Sequence, residues 1–147
     1  MGRSHSHVGS IPTPGTVNPL VPFPPTTILW VALGGAIGSA VRFGAGEAMR
    51  RVPAFAQFPW GTLVINVLGS LVIGWFLRWS ASTEASPQLR AFVAIGICGG
   101  FTTFSTFAAE NLALLQAGHV ARAALHAMLS LTLTVAAAFL GYTLARP

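Results

Sequence analysis

LRAFVAIGICGGFTTFSTFAAENLALL, residues 89–115, is long and apolar enough at its two ends to be transmembrane helix, but its middle is not. Gly99 and Gly100 stand side by side, and Thr102, Thr103, Phe104, Ser105, Thr106 and Phe107 follow. Paired glycines loosen a helix. Backbone groups freed at membrane depth are tolerated only where protein or a watery cavity satisfies them. The stretch therefore predicts a helix broken mid-membrane at Gly99–Gly100, with hydroxyls and aromatic rings gathered where something polar is held or passed.

Composition supports a membrane setting. Of 147 residues, 53% are hydrophobic and only 7% charged, against about 25% charged in a soluble domain. Mean hydropathy is +0.68. The net charge of +5 is no sign of nucleic-acid binding. All eight basic residues are arginines, and most lie at the ends of apolar runs, where membrane helices carry interfacial charge. The single cysteine, Cys98, excludes an intramolecular disulfide and a cysteine metal cluster, and reads as a small packing residue.

Outward from the third stretch, the chain divides in two. Residues 1–25 hold Pro12, Pro14, Pro19, Pro22, Pro24 and Pro25 among Gly, Ser and Thr, a composition expected to be disordered. No apolar run precedes residue 28, so this tail is not a secretory signal, and His5 and His7 read as solvated. Residues 26–147 form one all-α unit. Its apolar spans run over about 28–49, 58–79, 89–115 and 120–145, each near the roughly 20 residues that cross the hydrocarbon core. Short connections make neighbours antiparallel. Trp30, Trp60, Trp75 and Trp79 near the span ends are interfacial anchors.

Polar residues recur at helical spacing on three spans. The second carries Thr62, Asn66 and Ser70; the third Thr103, Thr106 and Glu110, beside Phe101, Phe104 and Phe107; the fourth His119, His126, Ser130 and Thr134. Each stripe alone is compatible with hydrogen-bonded glue between helices. Three in so short a chain point to a polar pathway. Arg42 lies within the first span, where a charge near the bilayer centre costs about 2.5–3.5 kcal/mol. It is expected either to pair with Glu110 or to line an aqueous vestibule with it.

The donor set favours a small anion. The Asn66 amide and the hydroxyls of Ser105, Thr106, Ser130 and Thr134 can donate. Glu110 is the only acid deep in a span, so no carboxylate cluster awaits a cation. Phenylalanine edges are positive, which gives Phe104 and Phe107 a means of facing an anion in a narrow passage. Arginine placement adds a topological expectation. With the termini on one side, that side carries Arg3, Arg78, Arg90 and Arg146 and the other Arg50, Arg51 and Arg122. Near balance lets the chain insert both ways up and pair as an antiparallel, dual-topology homodimer.

GGAIGSAVRF at 34–43, GTLVINVLGS with LVIG at 61–74, and GICGGFTTFSTFAAE at 96–110 resemble the Fluc (CrcB) fluoride channel family. The resemblance covers about residues 28–145 and leaves the long tail outside the family's compact pattern. It implies a passive fluoride-selective channel of the cell inner membrane that exports toxic fluoride, built as an antiparallel dimer with two pores. It further implies that Asn66, Phe104 and Phe107 line the path, with Ser105 and Thr106 on a polar track and Ser130 and Thr134 contributing from the fourth span. The same resemblance implies a structural Na⁺ on the dimer axis, held by backbone carbonyls at Gly99 and Gly100. The competing readings lack support. A four-helix drug and cation exporter wants a membrane-embedded acid in its first span, where Glu47 stands only at the end. An intramembrane hydrolase on Ser105 or Ser130 with His126 lacks an orienting third group.

Overall fold

The computed structural model describes residues 25–53 and 58–145. The expected tail, with His5 and His7, lies almost wholly outside these residues, as do Arg3 and Arg146. The described residues form helices and turns without strands. Helix α1 is Thr26–Arg50 and α2 is Trp60–Ser82. The third span has two parts. Its first, α3, covers residues 87–101 and is α-helical at Pro87–Arg90, π-helical at Ala91–Cys98 and α-helical again at Gly99–Phe101. Its second, α4, is Phe104–Gln116, and α5 is Val120–Leu144. Four stretches, Thr26–Arg50, Trp60–Ser82, Pro87–Gln116 and Val120–Leu144, are long and apolar enough to cross a membrane. The chain is a multi-pass membrane protein.

Local chemistry sets the ends. Ser86 caps α3 by accepting from Leu89 N, and Pro87 takes the first helical position, where a missing N–H costs nothing. The α4–α5 turn closes with His119 N on Leu114 O at 2.8 Å and Gly118 N on Leu115 O at 3.0 Å. Gly118 sits there at φ 76°, the left-handed conformation that a glycine adopts without strain.

Two pairings dominate the packing: α2 along α5, and α1 along α3. Both are glycine seams. A Cβ on Gly74 would strike Ala138 O, and one on Gly141 would strike Leu71 O. Without water, helices associate through such close backbone contact. Large apolar side chains such as Leu29, Leu33, Val41, Val135 and Phe139 remain exposed on the outer faces, as lipid contact requires.

Helical geometry in the third span lapses elsewhere than at the glycine pair. Gly99 and Gly100 are both helical, and Gly100 lies flat against α1, where an added Cβ would stand 2.7 Å from Gly35 O. The lapse falls at Thr102 (φ −77°, ψ 156°) and Thr103 (φ −147°, ψ 106°), both extended. Threonine hydroxyls supply the reason. Thr102 Oγ1 and N both donate to Cys98 O at 2.9 Å, closing α3. Thr103 Oγ1 accepts from Thr106 N at 3.0 Å, opening α4.

Candidate functional site

Asn66 replaces a neighbouring strand of backbone at this lapse. Its Oδ1 accepts from Thr103 N at 2.8 Å and its Nδ2 donates to Thr103 O at 3.2 Å. Only one orientation of the amide fits both contacts, so the side chain is fixed. An asparagine amide has two N–H donors, and Thr103 uses one. The second remains for whatever enters the adjoining cavity.

That cavity, of about 490 Å³, lies between α2, α3, α4 and α5. Asn66, Ser70, Phe104, Phe107, Ser130 and Thr134 line it, along with Gly99, Cys98, Thr102 and Thr103, and none of the described lining residues carries a charge. Six residues expected at the site, Asn66, Phe104, Phe107, Ser130, Thr134 and Gly99, thus share one wall. The two phenylalanine rings stand 5.4 Å apart with 36° between planes. Phe104 is 80% exposed in the single chain, facing outward from α4.

The hydroxyls differ in what they can offer. Ser130 Oγ is buried without a partner, so its hydrogen is free for a ligand. Thr134 Oγ1 donates to Ser130 O at 2.5 Å, which leaves it only lone pairs. An anion meets a donor at Ser130 and none at Thr134. Ser105 is exposed and lines neither this cavity nor the next.

A second cavity of about 670 Å³ opens between α1, α2 and α4, lined by Arg42, Arg50, Thr62, Thr103, Thr106 and Glu110 among others. Thr103 borders both cavities, and Thr106 belongs to this one. Arg42 and Glu110 share its wall and do not pair, so of the two expected arrangements the ion pair is absent. Thr62 Oγ1 donates to Glu110 Oε1 at 2.7 Å, and Arg42 Nε donates to Gly100 O at 3.1 Å. Each charge has found a nearer partner: a hydroxyl one helix away, and a carbonyl at the end of α3. The one ion pair among the described residues joins Glu47 to Arg50, exposed at the end of α1.

Two residues stand behind Phe107: Asn111, which the polar stripes did not include, and His126, which they did but without a role at the site. Asn111 Nδ2 donates to Phe107 O at 2.8 Å and lies 3.1 Å from His126 Nδ1. Both contacts are met when Nδ1 accepts and Nε2 carries the ring proton, and Nε2 is buried with no partner. The His126 ring centroid is 5.0 Å from that of Phe107. The signal was present: His126 shares a stripe with Ser130 and Thr134.

The chain matches the family described as CrcB-like protein, Camphor Resistance (CrcB), over residues 29–142. It belongs to the CrcB family. A curated relative in Thermus thermophilus, called fluoride-specific ion channel FluC, is 52% identical over 116 residues, which are 79% of this chain and 92% of the relative. A FluC of Novosphingobium aromaticivorans is 42% identical, covering 82% of this chain and 97% of its own length. One of Bacteroides fragilis is 40% identical over 78% and 91%. The matched CrcB region takes in the Thr102–Thr103 lapse and both cavities. These relatives are named as ion channels, not enzymes. Ser130 Oγ, moreover, makes no bond to His126, as a hydrolytic serine would.

Proposed function

We propose that the chain is a passive, fluoride-selective channel of the cell inner membrane that lets toxic fluoride leave the cytoplasm. The observation that carries the reading is the uncharged cavity in which a spare Asn66 N–H, the free Ser130 hydroxyl and two phenylalanines meet. A small anion entering it exchanges water for fixed donors and ring edges. Such donors, aimed without reorganisation, suit an ion whose hydration is strong. The names of the relatives support fluoride as that ion. Ser105 and Thr106 stand in the first turn of α4, near the positive end of its dipole, with Thr106 on the second cavity, which meets the first at Thr103.

The functional unit in this reading is an antiparallel, dual-topology homodimer, with the Thr102–Thr103 lapse at mid-membrane near a two-fold axis. The outward exposure of Phe104 supports a partner at that face. Near balance of arginines between the two sides supports insertion both ways up.

A structural Na⁺ fits at the lapse through carbonyls whose helical donors have been withdrawn. Thr103 N, the natural donor to Gly99 O, goes to Asn66 Oδ1. Thr106 N, the natural donor to Thr102 O, goes to Thr103 Oγ1. Gly100 O already accepts from Arg42, so Gly99, and not Gly100, is the member of the glycine pair left to hold a cation. Unwound carbonyls at half-helix ends are suitable cation ligands. Such an ion supplies fixed positive charge and links the subunits, and it does not move with fluoride.

The test is release of fluoride from liposomes carrying the purified protein, with chloride as the comparison. Rapid fluoride release with chloride retained supports the proposal; retention of fluoride, or equal release of both, overturns it. Labelling a cysteine at residue 2 in a Cys98→Ala background of intact cells tests the orientation. Access from both sides is expected, and access from one side only points to a parallel dimer.

A further inference from the structure

Gly100 ends its helix on a side chain from another span. Its carbonyl would take the Phe104 N–H if the helix continued, but Phe104 begins α4. It accepts instead from Arg42 Nε at 3.1 Å, with Ser39 Oγ 3.5 Å away. Backbone contact fixes how α1 meets this carbonyl. A Cβ on Gly100 would stand 2.7 Å from Gly35 O, and one on Gly38 would stand 2.9 Å from Phe101 N. Arg42 lies one turn beyond Gly38, so it reaches Gly100 from a helix that is already seated. A guanidinium there also suits the negative end of α3.

We propose that Arg42 is a positioning residue for the anion path: its Nε–H holds the Gly100 carbonyl and thereby fixes the Thr102–Thr103 link that aims Phe104 and Thr103. The working atom is Nε, not the positive charge as such. The rival is that Arg42 acts through its charge, drawing anions into the cavity it lines. The structure makes the two separable. A glutamine amide nitrogen is bonded to Cδ just as the arginine Nε is. Arg42→Gln therefore keeps a donor at that place and removes the charge. Arg42→Lys keeps the charge and puts a methylene where the donor was.

Both variants are compared with the unsubstituted protein by fluoride release from liposomes, after size-exclusion chromatography shows the parent's oligomer. The Gln variant is expected within about threefold of the parent, and the Lys variant slower by about tenfold or more, the scale of one lost charge-assisted hydrogen bond. Flux kept by Lys and lost by Gln, or changed equally in both, overturns the proposal. Hydrogen exchange over residues 101–105 gives a second readout that does not depend on the fluoride reading. Exchange should quicken in the Lys variant and not in the Gln variant, and the reverse order contradicts the proposal. If the parent passes no fluoride while this exchange pattern holds, the channel reading fails and the positioning role stands. Should the Lys variant not fold, solid-state NMR of the unsubstituted protein decides. A dipolar contact between Arg42 Nε and the Gly100 carbonyl carbon is expected, and its absence overturns the assignment.

Discussion

The α2–α5 seam and the Thr102–Thr103 link solve the same problem in opposite ways. Along the seam, two unbroken helices satisfy their own backbones, and Gly74 and Gly141 bring them into contact with no side chain between. At the link, helical bonding stops for two residues. Asn66, Arg42 and the hydroxyls of Thr102 and Thr103 take over the backbone groups. Hydrocarbon leaves no third choice. The seam makes a dry, closed contact. The link leaves partly used polar groups beside cavities of about 490 and 670 Å³. Selective passage of a small ion needs the second arrangement, and a frame of the first kind holds it in place.

The largest effects should come from forcing volume into the seam. Gly74→Val pushes two methyl groups at the Ala138 carbonyl, which is backbone and cannot rotate away. Overpacking of this kind costs about 1–3 kcal/mol and sometimes more. A broadened or lost peak in size-exclusion chromatography is the expected sign. Gly35→Ala is the control: no atom lies within 4 Å of its Cβ position, and the variant should behave as the parent does. Equal damage in both variants removes the distinction between seam and open surface.

Asn66→Leu should come next. It strands both Thr103 N and Thr103 O, at about 1–3 kcal/mol for each buried group left unpaired. It also removes the spare N–H. Fluoride flux should be lost, and thermal unfolding in detergent should fall by several degrees. Unchanged unfolding temperature would mean that the link does not lean on α2.

Thr103→Val deletes the cap of α4 at a cost of about 1 kcal/mol, whereas Thr103→Ser keeps it. Only the valine variant should lower the unfolding temperature. The smallest change should be Thr134→Val, because that hydroxyl hydrogen already goes to the Ser130 carbonyl. Flux within about twofold of the parent is expected, since no donor to the ion is removed. Ser130→Ala should slow flux more. The opposite order would show that Thr134 turns its hydroxyl toward the ion.

Much of the frame was legible because it depends on composition and period. The expected spans at 28–49, 58–79, 89–115 and 120–145 differ from the helices by three residues or fewer at each end. Asn66, Phe104, Phe107 and Ser130 were legible as polar or aromatic stripes on separate spans, and folding put them on one cavity. The position of the lapse was not legible. Gly99–Gly100 looks weak by propensity, but both residues stay helical, Gly100 serves close packing against α1, and threonine hydroxyls end the helix two residues later. Pairing of Arg42 with Glu110 failed for a similar reason. Charge alone suggests the match, but folding brings Thr62 to Glu110 and the Gly100 carbonyl to Arg42. The π-helical stretch Ala91–Cys98 has no sequence signature that the apolar run AFVAIGIC displays.

The central claim is that the uncharged cavity passes fluoride against aromatic edges, and one flux comparison tests it most directly. Phe104→Ile and Phe107→Ile keep apolar bulk and remove the ring edge. Fluoride release from liposomes should fall strongly in both variants while the oligomer survives in size-exclusion chromatography. Release at the parent's rate in both would contradict the account, because the ion would then be crossing without the rings.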